Sequence, residues 1–169
     1  ANNTVYNFSI DAGAIHGGIS GGNPDPISNE TAWLYTSFRN NTLAGYNMWG
    51  MAEADRESSA KTLQHVIWFL EGEVGATLHA QNPNNLDAAQ QAQATTWYNA
   101  AVAAVGAGFV NGGVRALNLF TDNNGNGVYD PGVDGKVQSQ LTMIPLPTAG
   151  GLGMAGLLGM LAIRRRVRL

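Results

Sequence analysis

The sequence of 169 residues contains no cysteine. Disulfide frameworks, thiolate chemistry and cysteine-based zinc sites are therefore excluded within it. Charged side chains are also scarce. Asp, Glu, Lys and Arg together make up 12% of the chain, about half of their usual share in a soluble domain. The polar surface must come from Asn, Gln, Ser, Thr and Gly, a composition that suits an extracellular protein.

Motifs of the common enzyme classes are missing as well. The chain has no P-loop, no G-x-S-x-G nucleophile elbow and no G-x-G-x-x-G segment that opens a helix after a strand. Its histidines, His16, His65 and His79, do not have the spacing of metal ligands. Glu71 and Glu73 stand two positions apart, where side chains on a helix face in different directions, so we interpret them as solvated. No catalytic activity is expected.

The two ends of the chain differ in charge. Four of the nine basic residues are Arg164, Arg165, Arg166 and Arg168, and the other five stand against all twelve acidic residues. An acidic body argues against nucleic acid as a partner, because phosphate binding needs a basic face. An arginine cluster directly after an apolar run favours a membrane, with this end on the cytoplasmic side.

Hydrophobic patterning predicts a single α+β domain over residues 1–143, with a few strands and about three helices. No regular alternation of strands and helices is present, so no nucleotide-binding crevice is expected. The predicted strands cover residues 5–10, 114–120 and 136–143, and the predicted helices cover residues 28–40, 52–73 and 86–105.

The last part of the chain, residues 144–169, is predicted to be a separate tail. Its first twenty residues carry no charge, and twenty helical residues span about 30 Å, the thickness of a hydrocarbon core. Pro145 and Pro147 do not fit a helix interior. The pattern therefore predicts a transmembrane helix over residues 148–164, near the lower limit of length. A buried C-terminal helix of a soluble protein is the alternative.

The tail has three parts in a specific order: a Pro-x-Pro element, a Gly/Ala/Leu-rich span and an arginine cluster. The residues of the first and third parts are Pro145, Leu146, Pro147, Arg164, Arg165 and Arg166. This order resembles the PEP-CTERM sorting signal of exported bacterial proteins, which has Pro-Glu-Pro at the first element. The resemblance implies export, a membrane anchor before processing, and cleavage by an exosortase-type protease.

The body is similar to PEP-CTERM surface proteins of planctomycete type. The segments that carry this similarity read GGISGGNPDPISNETAWLYTSFRNNTLAGY, TLQHVIWFLEGE and GGVRALNLF. In those proteins the body begins further upstream, which implies that this chain lacks an N-terminal part. The resemblance also implies an inner-membrane stage, a final location at the cell surface or in the extracellular matrix, and exopolysaccharide as a further partner.

One loop has the pattern of a calcium site. Oxygen-bearing side chains recur at positions 1, 3, 5 and 9 of the loop, Gly127 stands at position 6, and position 7 offers a main-chain carbonyl. Position 12 is Val133, and the following aspartate takes its place in this interpretation. The candidate calcium ligands are Asp122, Asn124, Asn126, Val128, Asp130 and Asp134. The alternative is an Asn/Gly-rich turn between two strands, since Asn-Gly is a strong hairpin signal.

These observations together predict an exported surface or matrix protein without catalytic activity. One alternative is a secreted hydrolase of polysaccharides that uses Glu71 or Glu73, and another is a tail-anchored subunit of a membrane complex. Several aromatic residues suit either a carbohydrate groove or, as is more common, a hydrophobic core. They are Trp33, Tyr35, Phe38, Tyr46, Trp49 and Trp68.

Overall fold

A computed structural model describes residues 6–15, 24–48, 52–80 and 85–144. These residues form three helices and six strands, an α+β arrangement. In the chain the three helices follow the first three strands and precede the other three. The elements in chain order are β1 (Asn7–Asp11), β2 (Gly13–Ala14), β3 (Asp25–Pro26), α1 (Asn29–Arg39), α2 (Glu53–Leu70), α3 (Ala88–Gly106), β4 (Val114–Thr121), β5 (Gly135–Lys136) and β6 (Gln140–Met143).

Strand β4 is the central strand of the main sheet, and its neighbours all run antiparallel to it. Strand β1 pairs along one edge, with Phe8 opposite Leu119 and Ile10 opposite Leu117. Strands β5 and β6 share the other edge, so Leu117 also lies opposite Gln140. Strands β2 and β3 form a separate ribbon. Burial alternates along β4, which indicates that one face of the sheet is turned to the interior.

The largest fully buried side chain is Trp97 of α3, which packs in a cluster with Leu34 of α1 and Val66 of α2. Its indole N–H donates to the carbonyl of Ala44 at 2.8 Å, and the ring of Tyr46 stacks on it at 5.9 Å. A buried indole N–H needs an acceptor, so this hydrogen bond holds the loop after α1 against α3.

Helix α2 differs from its predicted form at its end and in its buried face. It ends at Leu70, before the predicted end at residue 73. Leu63 and Val66 are buried as expected, whereas Ile67 is only half-buried. His65 is fully buried in their company, and its Nε2 donates to the carbonyl of Leu78 at 2.7 Å. The imidazole is therefore a hydrogen-bonded core residue.

Two strand predictions are also corrected in detail. The predicted strand over residues 136–143 is divided into β5 and β6 by residues 137–139. Ser139 in this interval donates its hydroxyl hydrogen to Oδ1 of the buried Asn118 at 2.6 Å, which turns it out of the ladder. The short strands β2 and β3 lie between residues 13 and 26, where hydrophobic patterning predicts neither a helix nor a strand.

The predicted fold class is corrected at its C-terminal element. We expected the α+β domain to be followed by a transmembrane helix. Within the part of the chain that the structure describes, however, no helix has both the length and the apolar character that a membrane crossing requires. The predicted helix over residues 148–164 lies outside the described residues, which end at Ile144.

Candidate functional site

The candidate calcium loop, residues 122–134, connects β4 to β5. The two strands hold its ends together, with Thr121 opposite Gly135 in antiparallel register. The N–H of Gly135 also donates to Oγ1 of Thr121 at 3.1 Å. The loop is therefore the connection of a long hairpin, as the turn interpretation also requires. Its own side-chain contacts must distinguish a plain turn from an ion site.

Asp122 organises the first half of the loop. Its carboxylate accepts the N–H of Gly125 at 2.6 Å and the N–H of Gly127 at 2.7 Å, and it also accepts from Nδ2 of Asn7 at 2.9 Å. Both glycines have φ of +77°, a conformation that glycine adopts without strain. The N–H of Gly127 lowers the pKa of Asp122, partial burial acts in the opposite direction, and Gly125 adds to the lowering. Asp122 is therefore an anion at physiological pH.

Two asparagine side chains converge on Asp130. Nδ2 of Asn124 and Nδ2 of Asn126 each lie 2.6 Å from Oδ2 of Asp130. Their amide oxygens accept main-chain N–H groups two residues further on, at Asn126 and Val128. An amide carries oxygen and nitrogen at equivalent positions, so a half-turn of either side chain would bring its oxygen to the same point and would release the main-chain N–H that this oxygen accepts. Residues 124, 126 and 130 thus share one focus.

Asp134 closes the second half of the loop. It is buried, with 8% of its surface exposed. Its Oδ1 accepts the N–H of Asn123 and its Oδ2 accepts the N–H of Asp130, both at 2.8 Å. Each carboxylate oxygen has a second lone pair, so these bonds leave acceptor capacity. The side chain of Val133, at position 12, is 53% exposed, and Asp134 is the carboxylate that the loop turns inward.

An aromatic contact fixes the loop to the sheet. Tyr129 packs edge-to-face against Phe120, with 5.6 Å between the ring centroids. Phe120 is almost fully buried at the end of β4. The loop is therefore attached at three points, namely the β1 side chain of Asn7, the strand pairing at its base, and this ring contact.

The donor set suits a hard cation that accepts neutral oxygens. The loop offers the carboxylates of Asp122, Asp130 and Asp134, the amide oxygens of Asn124 and Asn126, and the main-chain carbonyl of Val128. Across the described ranges, no group of three or more acidic or histidine side chains is arranged to hold a metal ion by itself. An ion here would depend on the amide and main-chain oxygens, which Ca²⁺ accepts and which give modest affinity.

The histidines have no metal-binding arrangement among the described residues. His65 donates to a main-chain carbonyl in the core. His79 is exposed, stacks beside His65 at 6.0 Å between ring centroids, and is hydrogen-bonded to the hydroxyl of Thr95 at 3.0 Å. His16 lies outside the described residues.

A groove that the sequence did not reveal runs along α2. Two adjoining cavities of about 350 and 770 Å³ share Ile67, Trp68 and residues 138–141 as lining. We call this feature the α2 groove and define it by one face of α2 and residues 138–141. Glu71 and Glu73 both line its smaller cavity, so the interpretation of these carboxylates as simply solvated is incomplete.

The aromatic residues divide between core and groove. Tyr35, Phe38, Tyr46 and Trp68 line the α2 groove, and Trp33 packs against the hydrophobic core. Burial raises the pKa of Tyr46, and burial raises that of Tyr35 against the opposing Arg39 guanidinium. Both phenols therefore remain protonated donors, and Tyr35 donates to the carbonyl of Leu141 at 2.8 Å. Trp49 lies outside the described residues.

The predicted sorting-signal residues also lie outside the described part of the chain, so the structure gives them no geometry. They are Pro145, Leu146, Pro147, Arg164, Arg165 and Arg166. Comparison of the chain with protein-family models, with curated proteins and with solved structures finds no match.

Proposed function

We propose that this chain is the body of an exported cell-surface or extracellular-matrix protein that has no catalytic activity of its own and binds Ca²⁺ in the loop 122–134. The low charge and the lack of cysteine suit an extracellular setting. The order of the tail, from Pro145 to the arginine cluster, supports processing by an exosortase-type protease. An acidic body argues against nucleic acid as a partner, because phosphate binding needs a basic face.

The observation that carries the calcium proposal is the convergence of oxygen-bearing side chains. Asn124 and Asn126 meet at one oxygen of Asp130, while two glycine N–H groups hold Asp122 ionised at the start of the loop. The amide N–H groups of Asn124 and Asn126 satisfy Asp130 in this arrangement. A cation at the same focus would instead attract the amide oxygens and offset the charge of Asp130.

The affinity we expect is that of an extracellular calcium module. Two of the six candidate ligands are neutral amides and one is a main-chain carbonyl, so the dissociation constant belongs near 10⁻⁴–10⁻³ M, as an order of magnitude. Such a site is filled in calcium-rich surroundings outside the cell. Its role would be to fix the β4–β5 hairpin and, through Asn7, the neighbouring strand β1.

A second candidate function has one observation in its favour. Glu71 and Glu73 line the same cavity as Trp68, which suits a hydrolase of polysaccharides better than two carboxylates on open surface would. Against it, the Oε1 atom of Glu71 accepts both the N–H of Ser28 at 3.2 Å and its hydroxyl at 2.7 Å. Those bonds fix this carboxylate at the N-terminus of α1, which is a structural task.

Calcium binding is tested by thermal unfolding of the 169-residue chain, followed by circular dichroism with calcium or with a chelator. At about ten times the dissociation constant, a ligand that binds only the folded state adds about 1.4 kcal/mol. The melting temperature should therefore rise by about 3–5 °C for a chain of this size. Magnesium at the same concentration should have a smaller effect, because Mg²⁺ demands a tighter octahedral site.

Two variants make the test specific. Asp122→Asn removes the carboxylate at position 1 and should abolish the calcium-dependent rise. Asp55→Asn changes an exposed aspartate in the first turn of α2, far along the chain from the loop, and should keep the full rise. An unchanged melting temperature of the native chain in calcium, or an equal response of both variants, would contradict the proposal.

A further inference from the structure

We propose that the α2 groove is a binding site for an uncharged oligosaccharide. The inference is independent of the calcium loop and of export, because different residues carry it. It begins with the outer face of α2. Residues 57, 60, 61, 64, 67, 68 and 71 of this helix, or of its C-terminal cap, all line the groove.

This spacing places the lining residues on one continuous face of the helix. Intervals of three and four residues return to the same side of an α-helix. The face adjoins the buried stripe that contains Leu63 and Val66, and Leu63 itself also lines the larger cavity. From residue 57 to residue 71 a helix rises about 21 Å. A groove of this length suits several linked units of a polymer better than a single small molecule.

The opposite side of the groove is formed by residues 138–141, which lie about seventy positions later in the sequence and enter β6. Gln138 and Gln140 are exposed there, and Gln64 is exposed on α2. An amide side chain both donates and accepts hydrogen bonds. Amides on two facing sides therefore suit a ligand whose hydroxyl groups also do both.

Trp68 provides the apolar surface that such a ligand requires. Both cavities include Trp68 in their lining, and its side chain is half-buried, so part of the indole remains open to the groove. The C–H faces of a sugar ring are apolar and stack on an aromatic face, while its hydroxyl groups bond to surrounding polar side chains. Tyr35, Phe38 and Tyr46 extend the aromatic lining beyond Trp68 in the larger cavity.

The charge of the groove selects among glycans. Asp25, Glu71 and Glu73 line the smaller cavity, and among the described residues no lysine or arginine lines it. The larger cavity has one residue of each sign, Glu57 and Lys61. A glycan that carries carboxylate or sulfate groups would be repelled by the smaller cavity, since like charges disfavour association. Neutral hydroxyl groups, by contrast, can donate to these carboxylates.

The binding test uses the 169-residue chain and intrinsic tryptophan fluorescence. The probes are neutral cello- and laminari-oligosaccharides of six units, with an oligo-alginate of the same length as the anionic probe. The neutral probes should change the fluorescence in a saturable way, whereas the alginate should not. A short oligolysine peptide serves as the competing ligand, because an acidic groove also attracts cationic peptides.

Variants show whether the groove is responsible. Trp68→Ala should weaken binding at least about tenfold, the equivalent of one stacked aromatic contact. Calorimetry reports binding for this variant, since it lacks the reporter indole. Gln64→Ala changes an exposed side chain, leaves the fold intact and should weaken binding about threefold or more. Phe8→Ala removes a 62% exposed aromatic ring on β1, outside the groove, and should bind as the native chain does.

The outcomes separate the possible ligands. Saturable binding of a neutral glycan that Trp68→Ala and Gln64→Ala both weaken supports the inference. Binding of oligolysine alone, preference for alginate, or equal loss in Phe8→Ala overturns it. New reducing ends in the presence of a neutral probe would show that the chain binds and hydrolyses the glycan. This outcome would support the binding site and would contradict the proposed lack of catalytic activity. Failure of the calcium test leaves this result unaffected.

Discussion

Asn118 is a polar residue in a position that an apolar side chain would ordinarily fill. It is fully buried on β4, between Ala116 and Phe120 of the same face. Its amide oxygen accepts from the N–H of Ile15 at 3.0 Å and from the Ser139 hydroxyl. Its amide nitrogen donates to Oδ2 of Asp11 at 2.9 Å and to the carbonyl of Gly13 at 3.2 Å. One side chain thus joins β4 to the β1–β2 connection and to the segment before β6.

Replacement of Asn118 by Ala should therefore lower the free energy of unfolding by about 2–3 kcal/mol, because buried partners lose their hydrogen bonds. Urea denaturation followed by circular dichroism measures the loss. Asn99→Ala is the matched control, since Asn99 is exposed on α3 and alanine is the better helix former. A loss below 0.5 kcal/mol at Asn118, as an order of magnitude, would show that its contacts do not stabilise the fold.

The sequence indicates the polarity of Asn118 but not its partners. Local alternation predicts the strand, but it also predicts apolar side chains at the buried positions, one of which Asn118 occupies. The hydrogen bonds that make burial acceptable reach across more than one hundred residues to Asp11 and Gly13. The hydrogen bond of His65 could not be predicted from the sequence either. Its acceptor, the carbonyl of Leu78, belongs to the irregular segment after α2.

At the scale of elements, α1 and α3 are the best predicted helices. The sequence places the start of α3 near Asp87, and the structure has Asp87 as the N-cap of Ala88–Gly106. Oδ1 of Asp87 accepts the N–H of Gln90 at 2.9 Å, and Oε1 of Gln90 accepts the N–H of Asp87 at 2.9 Å. Such a reciprocal capping box is a local signal, so it can be read without knowledge of the fold.

Asp87→Ala should cost about 1 kcal/mol of stability, because it leaves an N–H at the start of α3 without a partner. Asp87→Asn keeps an oxygen acceptor and should cost less than half as much. Denaturation curves of both variants give the comparison. Equal losses for Ala and Asn would contradict a capping role and would indicate that the negative charge of the residue matters instead.

The remaining elements show the limits of local patterns. The end of α2 was predicted too late, at residue 73, although Gly72 directly follows the C-cap Glu71 with φ of +75° and is the signal that ends the helix. The two-residue strands β2 and β3 are defined by pairing with each other and carry no periodic pattern of their own. Their short length explains why sequence periodicity could not predict them.

For the whole molecule, the α+β class could be predicted from the sequence, but the order of the strands in the sheet could not. The order of helices between strands indicated an α+β domain. That β4 would be central, with β1 on one side and both β5 and β6 on the other, depends on contacts between the two ends of the chain. Such long-range pairing has no signature in a single sequence. The predicted membrane-spanning helix has no counterpart in the described structure.

The two candidate sites also differ in how far the sequence alone could predict them. The loop 122–134 is contiguous, so its alternating oxygen-bearing residues could be recognised directly. The α2 groove combines Gln64 and Trp68 with residues 138–141, and only the folded chain brings them together. The sequence offered one indication of it, because Trp68 is among the aromatic residues that suit a carbohydrate groove.

The most direct test of export and sorting is the mass of the mature protein in the organism that makes it, measured by intact mass spectrometry on material released from the cell surface. Processing at the predicted signal should remove the arginine cluster of residues 164–168. A variant with Pro145→Ala and Pro147→Ala should keep this cluster and remain with the cells. A surface-released native protein that ends at Leu169 with all four tail arginines would contradict the account.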